Sequence, residues 1–284
     1  MISTIQIISI FTSAFIIIGI PFYIFRKYRG KPQLNQGLIW GMLTFLLYTI
    51  VRMILLTLLS NVLPEGLLTN SMTFDGNMAI AALMEGIINA FSFTLAAIVV
   101  YKFQLKKMKN DDIPLLNSLT FVMMSAIFLI MPLINYGMFS IAINKGNLEQ
   151  FVREDVSIEE IKAMAEAVKQ TPAALYLDMG LARIFDILVY TASFALLYKG
   201  LAPHIALKQS DLVDETMAIE VEVNDSNENN KAKMILFAGL IVFGYYAMSV
   251  LALSVFENIP VLMLVLKAVY AVAVYKLTYG NKTN

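Results

Sequence analysis

Residues 37 to 63 read GLIWGMLTFLLYTIVRMILLTLLSNVL, and Arg52 is the one charged side chain among them. A helix rising about 1.5 Å per residue crosses a hydrocarbon core of about 30 Å with some 20 apolar residues, so this stretch is long and apolar enough to span a bilayer. The rest of the chain repeats the pattern. Comparable runs occur at roughly 5–25, 78–101, 115–143, 173–199, 233–255 and 260–276, giving seven spans. The first run lacks a basic segment ahead of it and a small-residue cleavage site behind it, so it is expected to stay as a helix. The last two runs are divided by Phe256 to Ile259 and then Pro260. Together they are too long for one span, which predicts a hairpin. The expected fold class is all-α: a polytopic membrane helix bundle of seven transmembrane helices, residues 1–284 forming a single domain.

Composition agrees with a membrane protein. Of the 284 residues 58% are hydrophobic and 15% charged, and the mean hydropathy is +0.70. The 21 Lys and Arg balance 21 Asp and Glu, which removes the basic footprint of a nucleic-acid binder. The absence of cysteine excludes disulfides, thiolate metal sites and a cysteine nucleophile. His204, the sole histidine, excludes an HExxH zinc site and reads as an interfacial residue. No metal and no cofactor are expected, and the partner implied by composition is the lipid bilayer.

The short loops differ in charge. Arg26, Lys27, Arg29 and Lys31 follow span one; Lys102, Lys106, Lys107 and Lys109 follow span three. Lys199, Lys208, Lys231 and Lys233 flank the loop after span five, and Lys276 and Lys282 follow span seven. Residues 61–77, between spans two and three, hold Glu65 and Asp75 but no Lys or Arg. The positive-inside bias therefore puts the N-terminus outside and the C-terminus in the cytoplasm, in what is expected to be a bacterial plasma membrane.

Two extramembrane segments stand out. In the outer loop 144–172, Ser157 and Glu160 have capping-box spacing, and Ile161, Met164, Ala165 and Val168 follow at helical spacing. A short amphipathic helix is expected there, resting on the bundle or on lipid. The cytoplasmic stretch 202–232 is acidic and ends in an Asn/Asp/Ser/Glu run too polar to order itself, so its end reads as a linker.

Charges inside the spans carry the functional question, since a charge at mid-bilayer costs several kcal/mol and faces a partner, a cavity or a task. Arg52 lies in span two. Glu85 and Asn89 share one face of span three at i and i+4, about 10–16 Å from its outer end. Arg183 and Asp186 lie about 15–20 Å into span five, with Asp178 shallower. Arg183 and Asp186 can pair along their own helix, leaving Glu85 to Arg52, or the pairs can be crossed. Lys267 in span seven either joins this cluster or reaches for the interface. One reading makes these groups neutral pairs that fix helix register, helped by Asn89, Asn117, Asn135 and Tyr190. The other makes Glu85 a general acid or base tuned by an arginine.

These residues resemble a known family, the YhfC-type polytopic membrane proteins, relatives of glutamic-type intramembrane proteases that process CAAX proteins and bacteriocins. GLIWGMLTFLLYTIVRMILLTLL resembles that family's second helix with its arginine at Arg52. ALMEGIIN resembles the helix carrying its Glu-Glu-x-x-Arg signature, and LARIFDILVYTASFALLYKGL resembles a later helix with its arginine at Arg183. The resemblance covers most of residues 37–201 and implies that Glu85 takes the place of the first glutamate. Gly86 then stands for the second glutamate and Asn89 for the arginine, and span four has neither the family's histidine nor an acid. Peptide hydrolysis needs a base, an oxyanion donor and an acid for the leaving amine. Glu85, with Asn89 and Asn135 as donors, supplies only part of that set. The resemblance thus implies a protease-like scaffold, catalytically degenerate, that binds hydrophobic peptides or another membrane protein in immunity, sensing or transporter assistance. The alternatives are an active intramembrane protease built on Glu85, with Arg52 or Arg183 tuning it, and a transporter with a charged midplane site. The last lacks the paired broken helices of inverted-repeat transporters.

Overall fold

A computed structural model describes residues 1–31, 33–61, 78–107, 112–151, 157–211, 225–255 and 260–280. All their regular structure is helical: α1 (Thr4–Tyr28), α2 (Gln33–Ser60), α3 (Met78–Lys107), α4 (Ile113–Lys145), a 3-10 turn (Leu148–Phe151), α5 (Ile158–Gln170), α6 (Ala173–Asp211), α7 (Asp225–Val255) and α8 (Pro260–Tyr279). Among these, seven helices (α1 to α4 and α6 to α8) are long and apolar enough to cross a membrane.

Contacts between distant residues show that the spans alternate in direction. Asn144, at the end of α4, accepts from the Ile2 amide at 2.7 Å and donates to the Ile2 carbonyl at 2.9 Å. Gln6 Nε2 donates to the carbonyls of Lys169 at 3.1 Å and Thr171 at 2.7 Å. The start of α1, the ends of α4 and α5 and the start of α6 therefore share one end of the bundle. At the other end Lys199 Nζ reaches the Thr278 carbonyl at 3.2 Å. The expected hairpin of the last two spans is present as an antiparallel pair, with Tyr270 of α8 donating to the Ile241 carbonyl of α7 at 2.8 Å. Its turn lies outside the described residues.

Helices α4 and α6 form the interior: 61% of their apolar windows is buried, against 11% for α2, 17% for α7 and 22% for α8. Where α3, α4 and α6 meet, Phe93, Phe121, Tyr190 and Phe194 pack with ring centroids 4.6–6.3 Å apart, mostly edge to face. Phe93 lies one turn beyond Asn89, and Tyr190 one turn beyond Asp186, so this aromatic plug closes the bundle beneath the charged level. Small residues permit the close approaches membrane helices use in place of a hydrophobic drive. A Cβ at Gly180 would sit 2.6 Å from the Ser13 backbone of α1, and Ser13 itself donates to the Tyr176 carbonyl at 2.6 Å.

The amphipathic helix forms where its capping box placed it. Ser157 Oγ accepts from the Glu160 amide at 3.2 Å, and the Glu160 carboxylate accepts from the Ser157 amide at 2.8 Å. Ile161, Ala165 and Val168 are buried with Ile2, Ile10, Phe139 and Tyr176, so α5 rests on the bundle. The acidic stretch 202–232 departs from the expected loop. Helix α6 continues to Asp211 and α7 begins at Asp225, because a long apolar helix already nucleated carries polar residues on at little cost per residue. Residues 212–224, and the side chain of His204, lie outside the described residues, as do Glu65 and Asp75.

Candidate functional site

Helices α2 and α3 run antiparallel, and this brings Arg52, about 12 Å from the end of α2, level with Glu85, about 10 Å into α3. Arg52 Nη2 stands 3.4 Å from both Glu85 oxygens. That is a single-nitrogen contact at long range rather than the two-pronged fork of a strong arginine pair. The other N–H groups of Arg52 make no hydrogen bond to a described residue. Glu85 is held chiefly by its own helix: Asn89 Nδ2 donates to Glu85 Oε2 at 2.8 Å and to the Glu85 carbonyl at 2.7 Å. Asn89 is fixed in turn by the Tyr48 hydroxyl, which donates to its Oδ1.

These groups line a cleft of about 250 Å³ with Phe45, Thr49, Met53 and Tyr246. Four α2 residues, Phe45, Tyr48, Thr49 and Arg52, form one helical face at i, i+3, i+4 and i+7, and α7 closes the far wall with Tyr246. The mouth is on the side of the bundle, where Thr49 is exposed and Met53 is 47% exposed. It lies on the same flank as the exposed Leu46 and Ile50 of α2.

The remaining charges within the spans form a second group on α6 and α8. Arg183 pairs with Asp186 at 3.0 Å and donates to Ser125 Oγ of α4 at 3.3 Å. Lys267 pairs with Asp178 at 2.7 Å, joining α8 to α6. So the uncrossed pairing holds, and Lys267 turns inward rather than toward the interface. The adjacent tyrosines of α7 stand between the groups, Tyr246 near Arg52, Arg183 and Asp186 and Tyr245 hydrogen-bonded to Asp186. Tyr246 lines the cleft and shares a 2.8 Å hydroxyl contact with Tyr190; Tyr245 packs with Val189 of α6 and Ala271 of α8.

Of the residues singled out in the sequence, Arg52, Glu85 and Asn89 come together at the cleft. Arg183, Asp186 and Asp178 do not reach it, so Arg183 is not the partner of Glu85. Asn135 is elsewhere: it lines an apolar groove of about 460 Å³ with Tyr136, Phe151, Ile161 and Met164, between α4 and α5. Asn117 is also remote, exchanging hydrogen bonds with Gln104 at 2.7 and 3.2 Å. Sequence reasoning missed Tyr48, Thr49 and Tyr246. Tyr48 and Thr49 were in reach of it, one turn before Arg52 on the same face. Tyr246 was not, because nothing local marks which face of α7 turns to α3.

Chemically the cleft offers one carboxylate oxygen, Glu85 Oε1, whose contact with Arg52 is long, a guanidinium with unused donors, and two tyrosine hydroxyls. Among the described residues neither a histidine nor a second carboxylate lines it. Searches of protein-family models, curated proteins and solved structures give no match to this chain.

Proposed function

We propose that this chain is a non-cleaving membrane receptor for apolar peptide segments, related to the YhfC-type intramembrane-protease scaffold, and that the α2–α3–α7 cleft is where the segment binds. The ligand is a hydrophobic peptide or the membrane segment of a partner protein. The orientation read from the basic loops places the cleft in the outer half of a bacterial plasma membrane.

The observation that carries this reading is the sideways mouth of the cleft beside a loosely paired Arg52 and Glu85. Polar groups that served only as glue would be sealed and satisfied. Here they border open space on a flank otherwise dressed in apolar side chains, which a lipid-borne ligand reaches without crossing water. Two features speak against hydrolysis. Among the described residues Glu85 has no second acid or histidine beside it to protonate a leaving amine. At Gly86, where the resemblance puts the second glutamate, a Cβ would meet the Phe243 ring at 2.7 Å and its carbonyl oxygen at 3.0 Å, so α7 occupies the space that side chain would need.

The test is photo-crosslinking of the full chain in lipid nanodiscs, with p-benzoylphenylalanine at position 49 and, as control, at Leu262 of α8. The probe is a fluorescent synthetic transmembrane peptide of leucine and alanine. An adduct at 49 and not at 262, with the peptide intact by mass spectrometry, is the expected result. Absence of an adduct at 49 overturns the binding reading. Cleavage of the peptide that Glu85→Gln abolishes overturns the non-cleaving one.

A further inference from the structure

We infer that the cleft selects a membrane segment bearing an uncharged primary amide, a glutamine or asparagine side chain, at the depth of Glu85. This rests on the reading of the cleft as a peptide site and specifies what that site recognises.

The argument begins with charge. Arg52 and Glu85 neutralise each other, and the cleft walls are otherwise Phe45, Met53, Thr49 and tyrosines. In surroundings this apolar a ligand carboxylate drawn to Arg52 would face Glu85, and a ligand ammonium drawn to Glu85 would face Arg52. Either leaves an uncompensated charge of high cost. A purely apolar side chain leaves the spare donors of Arg52 and the weakly held Glu85 Oε1 without partners once the mouth is covered. A hydroxyl must both donate to Glu85 and accept from Arg52 through one oxygen on a short stem. A primary amide offers a carbonyl oxygen for Arg52 and N–H donors for Glu85 in one planar group. An amide can approach both groups from the adjoining space of about 250 Å³, and a contact of 3.4 Å, long for a charge-assisted pair, is one a ligand can open. Thr49 does not compete, its hydroxyl being committed to the Phe45 carbonyl at 2.9 Å.

The test is a host–guest series: the leucine–alanine peptide carrying Gln, Leu, Glu or Lys at the residue that sits level with Glu85, titrated against the full chain in nanodiscs and read by crosslinking at position 49. Two interhelical hydrogen bonds predict that Gln binds about tenfold more tightly than Leu, with Glu and Lys weakest. The double variant Arg52→Leu/Glu85→Leu, neutral and apolar, is expected to bind the Leu peptide and to lose the preference for Gln. Equal binding of Gln and Leu to the unmodified chain overturns the inference and leaves the peptide site standing, as does tighter binding of Glu or Lys. Failure of every peptide to crosslink at 49 overturns the peptide site and the inference with it.

Discussion

Two charged regions at similar depth in the bundle are built in opposite ways. On α6 and α8, Lys267 and Asp178 stand 2.7 Å apart with side chains 10% and 15% exposed, and Arg183 and Asp186 stand 3.0 Å apart, 23% and 4% exposed. Between α2 and α3, Arg52 and Glu85 are 3.4 Å apart, 28% and 14% exposed, beside a cleft. The sequence signal is the same in both, an acid and a base deep in apolar helices. Separation and an adjoining cleft, rather than exposure, distinguish them. On the proposed reading the loose pair is the one left available to a ligand, so its removal should tell on binding more than on the fold.

The largest effect should follow Asp186→Leu. Arginine keeps its proton under all ordinary conditions, so Arg183 would be left as an uncompensated charge, with neutral Ser125 and tyrosine hydroxyls about it and its Nε already lacking a partner. Breaking an enclosed pair from one side costs about 3–5 kcal/mol. Reversible unfolding of the full chain by steric trapping in bicelles would measure it. A loss under about 1 kcal/mol, the figure for exposed pairs, would erase the contrast between the regions.

Lys267→Met should cost less, because it strands the carboxyl side chain of Asp178 rather than a guanidinium, which has no neutral form to fall back on. The Asp178 Oδ1 already lacks a hydrogen-bond partner, and a stranded buried polar group costs about 1–3 kcal/mol. Replacing both partners, Lys267→Met with Asp178→Leu, should restore much of the loss, as apolar replacement of buried pairs often does. The same unfolding assay reads the three variants as a double-mutant cycle.

For the Arg52–Glu85 pair the expectation shifts from the fold to binding. Arg52→Met and Glu85→Gln should each cost less stability than Asp186→Leu, because their contact is long and Arg52 borders the cleft, while weakening capture of the leucine–alanine peptide carrying glutamine. The decisive measurement is unfolding and crosslinking on the same preparation. Stability losses as large as that of Asp186→Leu would move Arg52 and Glu85 into the structural class.

How far the sequence reaches follows the same division. All seven spans were legible because hydropathy is summed over some 20 residues and tolerates local error. Their ends were less so: α3 runs on to Lys107 and α6 to Asp211, since helices do not stop where the bilayer does. The Ser157 capping box was legible because its partners lie three residues apart. Glu85, Asn89 and Arg52 were recognisable as unusual, and topology gave them comparable depth. Which acid meets which base was not legible, because pairing depends on helix rotation, and that is set by close approaches such as Gly86 on Phe243 and Gly180 on Ser13 that no local pattern encodes. The same blindness put Asn135 near Glu85 and left Tyr246 unremarked.

A third pair sharpens the comparison by separating distance from enclosure. Lys169 and Glu166 of α5 approach to 2.6 Å, closer than any of the bundle pairs, yet Glu166 is 60% exposed and Lys169 31%. The hydrogen bond from Lys169, and then its charge, hold the Glu166 carboxyl below its ordinary value of 4.5. A carboxyl whose pKa is lower folded than unfolded stabilises α5 above that ordinary value, and the contribution fades as pH falls through the lowered one. Water screens the attraction, so if enclosure rather than proximity confers strength this shortest pair should matter least. Hydrogen exchange of the α5 amides should show slightly faster opening as the medium is acidified below pH 4.5, and Glu166→Gln should flatten that dependence without disturbing the bundle. Loss of bundle protection in Glu166→Gln, on the scale of Asp186→Leu, would mean that separation alone ranks these pairs and that the looseness of Arg52 and Glu85 says nothing about their availability.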